Sequence, residues 1–299
     1  MKIREVCFVV VILLVAIAVS LTFLRLVPFE RAREHLIEDV PFVGHDPDMP
    51  AGCGMFSSQM VFEYLGIDIS IPEQIYYTGW ASSFGYLTAL HMPSDLTSLN
   101  NYYFLGDLYG FKTNVWVPDA VDPYLPLDET EWNEYWNRVK KCIEKDTPVL
   151  TNIDPLSLPY YSEELGVSTG EAGSHMIVLV GYDENKDIVW YNDPISTLFP
   201  GQANSSYIPV SIPDFRNALN RIQYKKGLVW TYQKVGEPIE LDKRLKCAQE
   251  RNRQRIEETS YYLGDLRGSL ASRGIIDVEI LLGLEMLCMR TETKLMTPG

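Results

Sequence analysis

The sequence predicts an α+β domain on a central antiparallel sheet, with a membrane-spanning helix before it and a helical extension after it. Three observations carry this. Two runs rich in β-branched and aromatic residues, HMIVLVGYD (His175–Asp183) and DIVWYND (Asp187–Asp193), flank the short polar turn ENK, which is a hairpin pattern. Helical patterns with capping signals surround them, as in DETEWNEYWNRVKKCI. At the N-terminus, VCFVVVILLVAIAVSLTFL (Val6–Leu24) is apolar and uncharged. The expected divisions are an anchor over residues 1–28, a main domain over 29–238 and an extension over 239–299.

Taken in chain order, the apolar run is longer than the ~7–15 residues of a signal-peptide core and close to the ~20 needed to span a bilayer. It reads as an uncleaved single-pass anchor. Ala18 and Ser20 leave a cleaved signal peptide as the alternative. Lys2 and Arg4 favour a cytoplasmic N-terminus against the competing Arg25, Arg31 and Arg33, which puts the body outside the cytoplasm. Glu30 to Glu38 is charged and reads as a short helix or linker, and DVPFVGHDPDMP as loop.

A helix follows, with Met55, Met60, Val61, Tyr64 and Leu65 as its stripe and Gly66 as its stop. Ser70 caps the next helix, with Pro72 in its first turn. Trp80 to Gly110 yields no assignment. Asp128 or Thr130 caps a helix whose apolar side is Trp132, Tyr135, Trp136, Val139 and Ile143, and PVLTNI then reads as a strand. After the hairpin, GLVWTYQKV (Gly227–Val235) is a later strand of the same sheet. From Leu241 the chain is charge-rich and helical. IIDVEILLGLEMLCM is too short and too acidic to span a bilayer, so it packs on the domain or on a partner.

Composition narrows the function. A net charge of −14 argues against nucleic acid as a partner, since phosphate contacts need clustered Lys and Arg. The four histidines, His35, His45, His91 and His175, have no ligand-like spacing, so no metal is expected. No phosphate-cradling glycine loop is present, and no cofactor is expected. The five cysteines form neither a zinc pattern nor a dense disulfide framework.

Chemistry concentrates elsewhere. Cys53 stands at a helix start, where the helix dipole and unpaired N–H groups favour thiolate over thiol. Gly52 and Gly54 leave room for a substrate backbone beside it. His175 opens the first hairpin strand and Asp193 ends the second, so an antiparallel hairpin places them together. The carboxylate is expected to accept the Nδ1–H of His175 and fix its tautomer. Singly, these residues have ordinary alternatives: a turn-packing cysteine, a structural histidine and a strand-ending Asp-Pro. Together they form a nucleophile, base and orienter set. Tyr160 and Tyr161, in the long loop before His175, are candidate contacts to the acyl group in the cleft.

On these residues the chain resembles a known family. VPFVGH…AGCGMFSSQMVFEYLG and SHMIVLVGYDENKDIVWYNDP are similar to the two halves of the bacteriocin-processing, double-glycine-leader type of cysteine peptidase domain, from about Val40 to Val235. The resemblance implies a papain-like fold with Cys53 as nucleophile, His175 as general base and then acid, and Asp193 as orienting group. Many relatives carry Gln as an oxyanion donor where this chain has His45, whose charge depends on pH. DISIPEQIYYTGWASSFGY and DPLSLPYYSEELG also resemble the N-terminal domain of the acyltransferase of butirosin biosynthesis. The expected substrate is accordingly a peptide or an acyl thioester, and the expected partners are the membrane and a separate membrane protein met by the C-terminal helices. A non-catalytic peptide-binding domain is the third class, with His45 in place of Gln as its argument.

Overall fold

The strand His175–Asp183 (β4) is buried at all nine positions, which makes it the centre of the architecture. The computed structural model describes residues 32–45, 52–78, 98–118, 125–167, 174–195, 205–222 and 226–250. The chain divides into Met1–Arg33 and Glu34–Gly299, and every element named below belongs to the second unit. The expected anchor over Val6–Leu24 and the segment Ile275–Met289 lie outside the described residues. Among the described residues, no helix is long and apolar enough to cross a membrane.

Among the described residues, seven antiparallel strands form one sheet. They are β1 (Glu34–Leu36), β2 (Phe111–Trp116), β3 (Val149–Ile153), β4, β5 (Ile188–Asn192), β6 (Ile208–Ser211) and β7 (Val229–Lys234). The order is β2-β7-β3-β4-β5-β6, and β1 pairs with the C-terminal half of β4. One edge of β4 is thus shared: β3 takes His175 to Leu179 and β1 takes Gly181 to Asp183. Gly181 permits this, because a Cβ there would stand 2.5 Å from Leu36 Cδ1.

The expected β4–β5 hairpin and the placement of Gly227–Val235 in the same sheet are as the structure has them. The Asp183 carboxylate fastens the hairpin turn by accepting from the N–H groups of Asn185 and Lys186. A different outcome holds for Glu30–Glu38, read as helix or linker: Glu34–Leu36 is strand β1. Three charged or exposed residues carry no strand pattern of their own, and pairing with β4 decides their conformation.

Among the described residues, six helices accompany this sheet: α1 (Cys53–Tyr64), α2 (Ile71–Thr78), α3 (Ser98–Tyr109), α4 (Glu129–Ile143), α5 (Pro159–Glu163) and α6 (Ile212–Asn220), with α2 packed on α1 and α3. Asp128, not Thr130, caps α4 and forms a capping box with Glu131, and the predicted apolar side is buried. Ser70 and Glu73 make the equivalent reciprocal bonds at the start of α2. Gly66, at φ +62°, follows the last turn of α1 as the predicted stop.

Helix α1 departs from a simple amphipathic pattern, since every residue from Met55 to Phe62 is buried. Its polar residues are matched rather than exposed. Ser57 Oγ donates to the Met176 carbonyl at 2.9 Å, and Ser58 Oγ bonds the Tyr232 hydroxyl at 2.9 Å. Gln74 Nε2 donates to Gln59 Oε1 at 2.6 Å, and Tyr102 donates to Gln74. Buried polar groups with partners fix one orientation of a helix more tightly than apolar packing does. Residues 241–250 form a further helix, from which the Arg244 guanidinium lies 4.4 Å over the Tyr109 ring.

Candidate active site

Cys53 is the first residue of α1, and its cap Gly52 has no side chain to satisfy the first N–H groups. The first turn carries no acidic residue, so nothing competes with the thiolate for the positive end of the helix dipole. The Ser57–Met176 bond clasps α1 to β4 one turn further on, which brings the sulfur against the start of β4. There it receives the backbone N–H of Met176, the N–H of Gly54 and a hydrogen bond from His175. Burial alone would raise the thiol pKa, but these donors and the His175 charge outweigh it, and the net direction is down. Cys142 moves the other way, pushed up by burial.

His175 and Asp193 meet as the hairpin geometry predicts, with His175 Nε2 2.8 Å from Asp193 Oδ1. The nitrogen differs from the one expected. Because the sulfur is held at the Met176 N–H, next to the His175 main chain, the near ring nitrogen Nδ1 is the one left for it. The far nitrogen Nε2 reaches across to the end of β5. Burial opposes charging His175, but the Asp193 charge and hydrogen bond, with Cys53 on the other side, raise it to about 10. Asp193 is held below the ordinary carboxylate range: burial works against this, and the His175 charge and three hydrogen bonds outweigh it. Its three donors are His175, the Tyr161 hydroxyl at 2.6 Å on Oδ2 and the Ile195 N–H at 2.9 Å on Oδ1.

His45 is also brought into this group. Its ring lies 4.8 Å from the Phe56 ring and 6.5 Å from that of His175, nearly parallel to the latter at 27°. Its position depends on the segment that follows β5, since His45 N donates to the Pro194 carbonyl at 2.7 Å. The segment leading to it is stitched to the sheet by Ile37 N to the Val180 carbonyl, Val40 N to the Tyr207 hydroxyl and Asn192 Nδ2 to the Val40 carbonyl.

One further expectation needs revision. Tyr161, read as a substrate contact, is only 2% exposed and turns its hydroxyl to Asp193, so it backs the acid rather than lining a cleft. Tyr160 is half-buried, edge-on to Tyr161, with its hydroxyl bonded to Ser205. A Cβ added to Gly54 would meet only Met176 Sδ, at 3.8 Å, so packing within the chain does not require glycine there.

Sequence reasoning missed the Met176 N–H and Ser57, and it gave Tyr161 a different role. Ser57 was within reach, since four residues after Cys53 puts it on the same helix face. A backbone donor and a tyrosine on the five-residue helix α5 have no such periodic signal.

The arrangement is a thiol and an imidazole in hydrogen-bond contact, with the imidazole oriented by a buried carboxylate on an antiparallel sheet. This is a cysteine-peptidase-like domain. The chain matches the Peptidase_C39-like family over residues 33–226 and belongs to that family. No curated protein matches it.

Proposed function

We propose that this protein is a papain-like cysteine peptidase acting through Cys53, His175 and Asp193. The observation that carries the reading is the buried contact of Cys53 with a His175 whose far nitrogen is held by Asp193. The Cys53 thiolate attacks a substrate carbonyl and forms a tetrahedral intermediate. The Cys53 N–H, first in its helix, and a ring N–H of His45 receive the oxyanion. The His175 imidazolium protonates the leaving amine, which departs and leaves a thioester on Cys53. Neutral His175 then takes a proton from water, whose oxygen attacks the thioester and frees the acid product. The substrate is a peptide. The apolar run Val6–Leu24 anchors the chain with its body outside the cytoplasm, and the C-terminal helices meet a separate membrane partner.

The test takes the full chain. Membrane and soluble fractions are separated, and the detergent extract is profiled against a peptide library and against acyl thioesters with amine acceptors, beside Cys53→Ala. Peptide cleavage in the membrane extract that vanishes in Cys53→Ala supports the reading. Amide formation from thioesters without peptide cleavage makes the protein an acyltransferase, and peptide binding without turnover makes it a binding domain. Recovery of the chain in the soluble fraction removes the anchor.

The oxyanion role of His45 has its own check. His45→Gln supplies an amide N–H whose charge does not change with pH. It is expected to keep kcat within about tenfold of wild type, whereas His45→Ala, by losing one donor, drops it roughly 10²–10³-fold. Equal losses in both variants, measured as kcat at constant pH, would count against a donor role.

A further inference from the structure

We infer that Tyr161 is a positioning residue that acts through Asp193, its hydroxyl holding the carboxylate oxygen that His175 does not use. The inference rests on the reading of His175 as the acid and base of Cys53, and it adds a fourth member to that set.

The two oxygens of Asp193 are divided. Oδ1 receives His175 Nε2 at 2.8 Å and the Ile195 N–H at 2.9 Å, and Oδ2 receives the Tyr161 hydroxyl at 2.6 Å. The Tyr161 ring also packs edge-on to the imidazole, with centroids 6.2 Å apart at 75°. One side chain therefore contacts both partners of the pair.

The backbone holds Tyr161 in this place. Asp154 accepts from Leu156 N and Ser157 Oγ and so fixes the short turn after β3. Pro159 opens α5, and Tyr161 is bonded through its N–H to the Leu158 carbonyl and through its own carbonyl to Val167 N. A phenol in such a buried position is disfavoured against phenylalanine unless its hydroxyl has a partner, and here the partner is a charge.

The groups facing the pair are Cys53 from α1, His45 from the segment before it, Tyr160 and Tyr161 from α5, and Tyr191 from β5. Burial, followed by the Asp193 charge, pushes the Tyr161 hydroxyl well above its ordinary value. It remains a donor throughout the working range. By stabilising the carboxylate charge at Oδ2, it limits how tightly Asp193 retains the His175 proton. Without that donor the proton is held more firmly and is released to a leaving group less readily.

The test is the ¹⁵N titration of the His175 ring in the full chain, with kcat and KM measured in parallel. Tyr161→Phe is expected to raise the proton affinity of His175 about tenfold, moving its deprotonation midpoint up by about one pH unit. It lowers kcat with little change in KM. Tyr109→Phe, which removes a hydroxyl donated to Glu73 away from the site, should leave the His175 midpoint where it is. 3-Fluorotyrosine at position 161, a stronger donor of nearly the same shape, should move the midpoint down. This last variant decides the matter even where Tyr161→Phe fails to fold. A His175 midpoint that stays fixed in the fluorinated protein, or in folded Tyr161→Phe, overturns the inference while leaving the peptidase reading intact. An ordinary imidazole titration in the wild type overturns both.

Discussion

Replacing His175 with alanine will abolish the reactivity of Cys53 at low pH. In the native protein the thiol pKa is lowered by His175 together with the Met176 and Gly54 N–H groups, against the opposing effect of burial. Without the imidazolium, the strongest of these contributions is gone and burial dominates. An ordinary thiol with pKa about 8.5 is only about one part in 300 ionised at pH 6. The alkylation rate of Cys53 at pH 6 should therefore fall by at least that order, and peptide turnover roughly 10²–10⁴-fold from the lost proton transfers. The measurement is iodoacetamide modification of Cys53 followed by mass spectrometry across pH. Undiminished modification at pH 6 in the variant would mean that His175 does not activate the thiol.

The second large effect is expected from Asp193→Ala, and it falls on stability as well as chemistry. Asp193 is fully buried and His175 nearly so. Removing one partner of a buried ion pair strands the other and costs about 3–5 kcal/mol. The pH dependence has a definite sign. Asp193 has a depressed pKa in the folded state, so its contribution is present above the unfolded value of about 3.9 and is lost as pH falls through the folded one. His175 has a raised pKa, so its contribution is complete below the unfolded value of about 6.5 and is lost as pH rises through about 10. The stability gap between wild type and Asp193→Ala should thus be widest between about pH 4 and 6.5 and should close towards pH 10. Thermal unfolding midpoints of both proteins over that range provide the check. A gap independent of pH would show that the two side chains do not share a charge.

The parts of the site that could be read in the sequence follow from local rules. Cys53 stands between two glycines at a helix start, and a tight hairpin forces His175 and Asp193 together whatever surrounds them. The ring nitrogen that each partner takes was not legible. It depends on how closely α1 approaches β4, and a serine bond to the Met176 carbonyl sets that approach. Tyr161 was visible as a residue but not in its role, because the turn after β3 determines where it points. The same limit applies to the sheet. β3, β4, β5 and β7 are strongly apolar and announce themselves. β1 has three residues, and β6 carries Pro209, so each becomes a strand only through its neighbour.

The Ser57–Met176 bond joins residues 119 apart in sequence, whereas His175 and Asp193 are only 18 apart. During synthesis the cysteine is therefore made long before the groups that activate it. Until β4 has been made and has paired, Cys53 is a thiol of ordinary reactivity, mostly protonated at neutral pH. Contacts so distant in sequence form slowly relative to local helices. On the proposed mechanism, the nascent chain thus carries Cys53 in a quiescent form, and its lowered thiol pKa is reached only when the completed hairpin closes on the helix.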